Sequence, residues 1–125
     1  MLDSGSGNTN IEMCEKLISG IKEYFAGKDV SNLFLHGGCY WLALTLNKYI
    51  PDSDIVINRK GQHCACLINQ KVYDIRGRIS SEGFSVATEK DMKYMQKHFV
   101  PCFDTDAISR HLCMVMEKER KVKIK

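Results

Sequence analysis

A chain of 125 residues is the size of one ordinary domain, long enough to bury about two-thirds of the surface it exposes when unfolded. Hydrophobic residues at 44%, charged residues at 26% and only two prolines exclude disordered, collagen-like and fibrous classes. The net charge of +3 belongs to the C-terminus: residues 117–125 (EKERKVKIK) hold five of the 18 basic and two of the 15 acidic side chains, leaving 13 of each sign elsewhere. A neutral body with a Lys-rich helix end argues against nucleic acid as a partner.

No apolar run is long enough to span a bilayer, and Met1 to Asn10 lacks the basic start and apolar stretch of a signal peptide. A cytoplasmic protein without a membrane partner is therefore expected. The six cysteines (14, 39, 64, 66, 102, 113) are too sparse for a disulfide scaffold and are read as reduced thiols, most of them small core hydrophobes.

Residues 1–9 are small and polar and are expected to form a flexible lead. Thr9 and Glu12 fit a capping box, and Ile11, Cys14, Leu17, Ile18, Ile21 and Phe25 then recur at helical spacing up to Gly27, which predicts a first helix over 10–26. A second helix, from Cys39 to Ile50 and closed by Pro51, is apolar nearly all round, so it should be central. Ile55 to Ile57, His63 to Ile68 and Val72 to Ile75 read as three short antiparallel strands, separated by turns at Arg59-Lys60-Gly61 and Asn69-Gln70. Residues 78–86 read as a loose stretch. Thr88 then opens a third helix with an apolar face of Met92, Met95 and Phe99, stopped by Pro101, and Asp104 caps a fourth that presents Ile108, Leu112, Val115 and Met116. The expected fold is one α+β domain over 10–117, a central helix on a small antiparallel sheet with further helices at both ends, followed by a basic tail over 118–125.

Cys39, His63 and Asp74 combine reactive chemistry with position. Gly37 and Gly38 let the chain turn sharply, and the Cys39 thiol then stands at a helix N-terminus, where partial positive charge favours a thiolate. If Asn69 and Gln70 are the central residues of a two-residue hairpin, Leu67 faces Val72 and Ala65 faces Asp74. His63, Ala65, Leu67, Val72 and Asp74 then share one face of the sheet, and Cys64, Cys66, Ile68, Tyr73 and Ile75 share the other. His63 and Asp74 become diagonal neighbours across the small Ala65. The carboxylate can fix the imidazole tautomer and leave the second ring nitrogen for the thiol.

The segments GGCYWLALTL, QHCACLI and VYDIRG, covering residues 33 to 77, resemble the papain-like cysteine hydrolase superfamily, nearest its transglutaminase-like branch. In that family a Cys at the start of a buried helix is followed by His and Asp on adjacent antiparallel strands. The resemblance implies a papain-like core, a Cys39-His63-Asp74 triad, a thioester intermediate on a peptide or protein substrate, and no cofactor. Many papain-like peptidases carry a Gln six residues before the nucleophile to complete the oxyanion hole, and Leu33 stands there in this chain. The Cys39 backbone N–H with Gln62 is the preferred substitute, with Asn32 and His36 as further candidates.

Two other readings compete. His36, Cys39, His63, Cys64 and Cys66 are residue types that suit zinc, although His63 and Cys64 should point to opposite faces of their strand and no CxxC pair is present. A catalytically idle member of the same fold, such as a small phage or mobile-element protein that sequesters a host factor, would act by binding alone.

Overall fold

A computed structural model describes residues 2–26, 28, 34, 38–58, 60, 63–99, 101 and 103–124, with side chains described between Thr9 and Glu117. In chain order the elements are α1 (Leu2–Tyr24), α2 (Gly38–Tyr49), β1 (Asp54–Asn58), β2 (His63–Ile68), β3 (Lys71–Asp74), β4 (Gly77–Ile79), β5 (Phe84–Val86), α3 (Glu89–His98) and α4 (Thr105–Ile124). The strands form one antiparallel sheet in the order β4-β3-β2-β1-β5, so the chain meanders from β1 to β4 and returns to the far edge with β5. The fold is α+β, as the sequence predicts.

Helix α2 holds the centre. Nothing in its interior breaks helical geometry, and Leu42, Ala43 and Leu46 are each no more than 1% exposed. Pro51 cannot continue the hydrogen-bond ladder, and Ser53 and Asn47 finish the helix end. The Ser53 hydroxyl donates to the Ile50 carbonyl at 2.7 Å, and the Asn47 amide donates to the Ser53 carbonyl at 2.9 Å. On one side of the sheet Cys66, Ile68, Tyr73 and Ile75 pack with Leu17 and Ile21 of α1, Leu42 and Leu46 of α2 and Ile108 and Leu112 of α4. Near the start of α2, Cys39, Tyr40 and Ala43 meet Ile55, Ile57, Cys64 and Met95. The opposite face buries Val56, Ala65 and Val72 beneath Leu67, Ile79 and Phe84. Truncating Leu42 or Leu46 to Ala is expected to cost about 2–5 kcal/mol, the usual loss for a core leucine.

The hairpin register is the expected one: Ile68 pairs with Lys71, Leu67 with Val72 and Cys66 with Tyr73. Asn69 and Gln70 carry φ of 52° and 67°, the paired left-handed conformation of the tight turns that match strand twist. The next turn is as short, with Asp74 opposite Gly77, and the φ of 97° at Gly77 is one that a side-chain-bearing residue seldom adopts.

Three expectations are corrected. The stretch read as loose, 78–86, holds the last two residues of β4 and all of β5, because Arg78 and Ile79 pair with Tyr73 and Val72, and Phe84, Ser85 and Val86 pair with Asn58, Ile57 and Val56. The first helix starts at Leu2, ahead of the expected position 10, so the Thr9 and Glu12 pattern lies inside it and marks no terminus. Gly5 and Gly7 are costly in a helix by about 1 kcal/mol each but obstruct nothing sterically. The last helix likewise continues through the basic segment to Ile124. The two later caps fall where expected: Thr88 and Asp91 form a reciprocal capping box at α3, and the Asp104 carboxylate accepts the Ala107 N–H at 3.0 Å.

Gln70 is exposed and held in a conformation costing a non-glycine residue about 1–2 kcal/mol. Gln70→Gly is expected to raise stability by about 1 kcal/mol after the greater unfolded freedom of glycine is counted. A urea midpoint that stays put or falls would mean that the Gln70 side chain contributes contacts outweighing its backbone strain.

Candidate active site

A buried carboxylate anchors the site. Asp74 ends β3 with 1% of its side chain exposed. Its own turn supplies much of the compensation: Oδ1 accepts the Arg76 main-chain N–H at 2.8 Å, and both carboxylate oxygens accept from the Arg76 guanidinium. The remaining bond goes across the hairpin, where His63 Nε2 donates to Oδ2 at 2.9 Å. Burial alone would raise the Asp74 pKa. The bonds from His63 and Arg76 win, and hold the carboxyl down at about 2. The stability that this ionised group contributes is thus complete above about pH 4 and lost as the pH falls through about 2.

With Nε2 committed to Asp74, Nδ1 is the ring nitrogen left to serve as partner for Cys39. His63 is the first residue of β2, at the end of the sheet, in the row with Asn58 and Phe84. The Phe84 ring stands 6.1 Å away in an edge-to-face arrangement, and only 15% of the His63 side chain is exposed. Burial opposes the charged imidazolium, but the hydrogen bonds to Asp74 and to Cys39 outweigh it and lift the His63 pKa to about 9.

Cys39 sits in the first turn of α2 with 1% exposure. Cys64 does most to favour its ionisation, burial opposes it, and His63 and the Cys64 main chain favour it further. Together these hold the Cys39 thiol down at about 5, whereas the Cys64 thiol, facing the same sulfur, is pushed strongly up. The order of ionisation follows from position, since the imidazolium and the helix N-terminus act on Cys39. The result is a line of charges, thiolate to imidazolium to carboxylate, in a largely water-free setting. Such a line supplies a nucleophile and a proton carrier at neutral pH.

His63 and Asp74 meet as the register requires, and Cys66 faces the core. The role of Cys64 goes beyond the sequence reading, which assigned it to the opposite face from His63 and to packing. Both faces converge on Cys39 because the start of α2 and the start of β2 lie together at one end of the sheet. The signal was available in the helix that must cover the Cys64 face. Phe84 was missed with β5. The oxyanion candidates Asn32 and Gln62, together with Leu33, His36 and the Gly61 turn, lie outside the described residues. Among the described residues no three His, Cys, Asp or Glu side chains are grouped to hold a metal ion, and five cysteines are free thiols. No helix among them is long and apolar enough to cross a membrane.

Iodoacetamide at pH 6 is expected to label Cys39 ahead of Cys14, Cys66 and Cys113, with a rate that rises through about pH 5. In Asp74→Asn the imidazolium loses its anion, so that rise should move toward the ordinary thiol range. Superimposable profiles for the two proteins would remove Asp74 from the site.

No curated protein and no solved structure matches the chain. The model of the family described as Phage YunG-like protein matches residues 17–113. That stretch is well over half of the sequence and contains Cys39, His63 and Asp74, so the chain belongs to the Phage YunG-like protein family.

Proposed function

We propose that the protein is a thiol hydrolase or acyl-transfer enzyme acting on a peptide or isopeptide-like amide, with Cys39 as nucleophile, His63 as proton carrier and Asp74 as its orienting anion, on a papain-like, transglutaminase-like core. The observation that carries this reading is the 2.9 Å hydrogen bond from His63 to Asp74 beside a Cys39 thiol that Cys64 and His63 hold down at about 5. Cys39 Sγ attacks the amide carbonyl carbon, a C–S bond forms, and negative charge moves to the carbonyl oxygen. The Cys39 main-chain N–H, in the first turn of α2, is a donor for that oxyanion. As the C–N bond breaks, His63 Nδ1–H gives its proton to the departing amine. A water molecule or a second amine then attacks the thioester, passing a proton to His63 and releasing the thiolate. Asp74 keeps Nε2–H occupied throughout, so the ring presents the same nitrogen in both halves of the cycle. We further place the protein in the cytoplasm, where its free thiols stay reduced.

One observation favours a second reading, in which the same fold binds a partner without turnover: Cys39 is only 1% exposed. An electrophilic amide-mimicking thiol probe separates the two. The enzyme reading predicts a covalent adduct on Cys39 in the wild type and none in Cys39→Ala; no adduct in either protein favours pure binding.

Turnover of an amide substrate should follow a bell, rising through about pH 5 as the thiol ionises and falling through about 9 as the imidazolium is lost. Asp74→Asn should lower turnover by about 10⁴-fold, the loss known for a triad aspartate replaced by asparagine. A full-rate Asp74→Asn enzyme would contradict the assignment.

A further inference from the structure

We propose that Cys39 and Cys64 form a reversible disulfide when a peroxide enters the site, so that this buried thiol pair is a redox modification site. The inference rests on the activated Cys39 of the proposed enzyme and names how that same residue is regulated. Cys39 is in the first turn of α2 and Cys64 is the second residue of β2, and both belong to one apolar cluster beneath Tyr40 and Met95. Helix α2 packs directly on β2, and Cys64 is the neighbour that does most to hold the Cys39 thiol down. Two short side chains facing each other within one cluster need only rotate for their sulfurs to reach the ~2.05 Å of an S–S bond.

The remaining described thiols lack this combination. Cys14 and Cys66 neighbour each other in the main core, but burial pushes their thiols up to about 12 and about 11. Neither therefore supplies a thiolate. Cys113 is exposed and hydrogen-bonded to the Tyr49 hydroxyl at 3.4 Å.

The chemistry balances with hydrogen peroxide as oxidant. The Cys39 thiolate attacks one peroxide oxygen, an S–O bond forms and the O–O bond breaks. The hydroxide leaving group takes the His63 proton and departs as water, leaving Cys39 as a sulfenic acid. The Cys64 sulfur then attacks the Cys39 sulfur, the S–O bond breaks, and the Cys64 proton leaves with the hydroxide as a second water. Two thiols are oxidised to one disulfide while one peroxide is reduced to two waters. The nucleophile is then masked, and it is spared the irreversible step to sulfinic acid.

The test treats the full chain with equimolar hydrogen peroxide, blocks free thiols, and maps tryptic peptides without reduction. Trypsin places Cys39 in the peptide 29–48 and Cys64 together with Cys66 in the peptide 61–71, so wild type, Cys64→Ala and Cys66→Ala are compared. The expected result is a linked pair of these peptides in wild type and Cys66→Ala, lost in Cys64→Ala and reversed by dithiothreitol. In Cys64→Ala, Cys39 should carry sulfenic or sulfinic acid instead. Oxidised Cys39 without the link in wild type, or a link that survives Cys64→Ala, overturns the proposal and leaves the enzyme reading standing. A Cys39 that peroxide does not touch overturns it too, and iodoacetamide labelling of the same sample at pH 6 then shows whether the activated thiol falls with it.

Discussion

A carboxylate buried to 1% exposure is tolerated only with its charge answered on several sides, and that demand on Asp74 organises this molecule. Two of its partners come from one residue two positions along the chain, because the tight turn between β3 and β4 aims both the N–H and the guanidinium of Arg76 back at the carboxylate. The third is His63, brought alongside by the hairpin register. The turns that fix this geometry use left-handed backbone conformations, at Asn69 and Gln70 and again at Gly77. A one-residue slip of the hairpin would put the Asp74 charge on the helix-packed face, so stability and chemistry constrain the same register.

Once His63 is oriented, the rest of the site depends on which end of the sheet receives the central helix. The apolar surface of α2 fixes its packing on the sheet through Ala43, Leu42 and Leu46, and its N-terminus consequently lies beside the start of β2. Cys39 there receives three aids to ionisation: the helix end, the imidazolium and the donors of Cys64. Cys14 and Cys66 show what burial does without such aids, since both thiols are driven upward in the main core. The difference lies in neighbours, not in depth.

The sequence made α2, the hairpin and the His63 to Asp74 contact legible because each rests on a strong local rule: an all-round apolar helix stopped by proline, a two-residue turn, and strict side-chain alternation. The weaker parts were those where local signals are short or silent. Strands β4 and β5 have three residues each, too few to show a period, and Phe84 was lost with them. The reading of Cys64 as a core residue on the opposite face from His63 holds, but its influence on Cys39 was not foreseen, for a geometric reason. Alternation separates His63 from Cys64 across the sheet, yet at the sheet's end a helix N-terminus can touch what lies on either side. The start of α1 was misplaced because Thr9 and Glu12 satisfy a capping pattern that an unbroken helix simply passes through.

The central claim is that Cys39 and His63 share a proton as an ion pair at neutral pH. The direct measurement is an NMR titration of the His63 ring nitrogens alongside the ultraviolet absorbance of the thiolate, in wild type and Cys39→Ser. The account predicts a wild-type His63 that stays imidazolium up to about pH 9 while one thiolate forms through about pH 5, and a His63 whose pKa falls when the sulfur is replaced by a hydroxyl. A His63 that titrates near its ordinary 6.5 in both proteins, with thiolate first forming near 9, would contradict it.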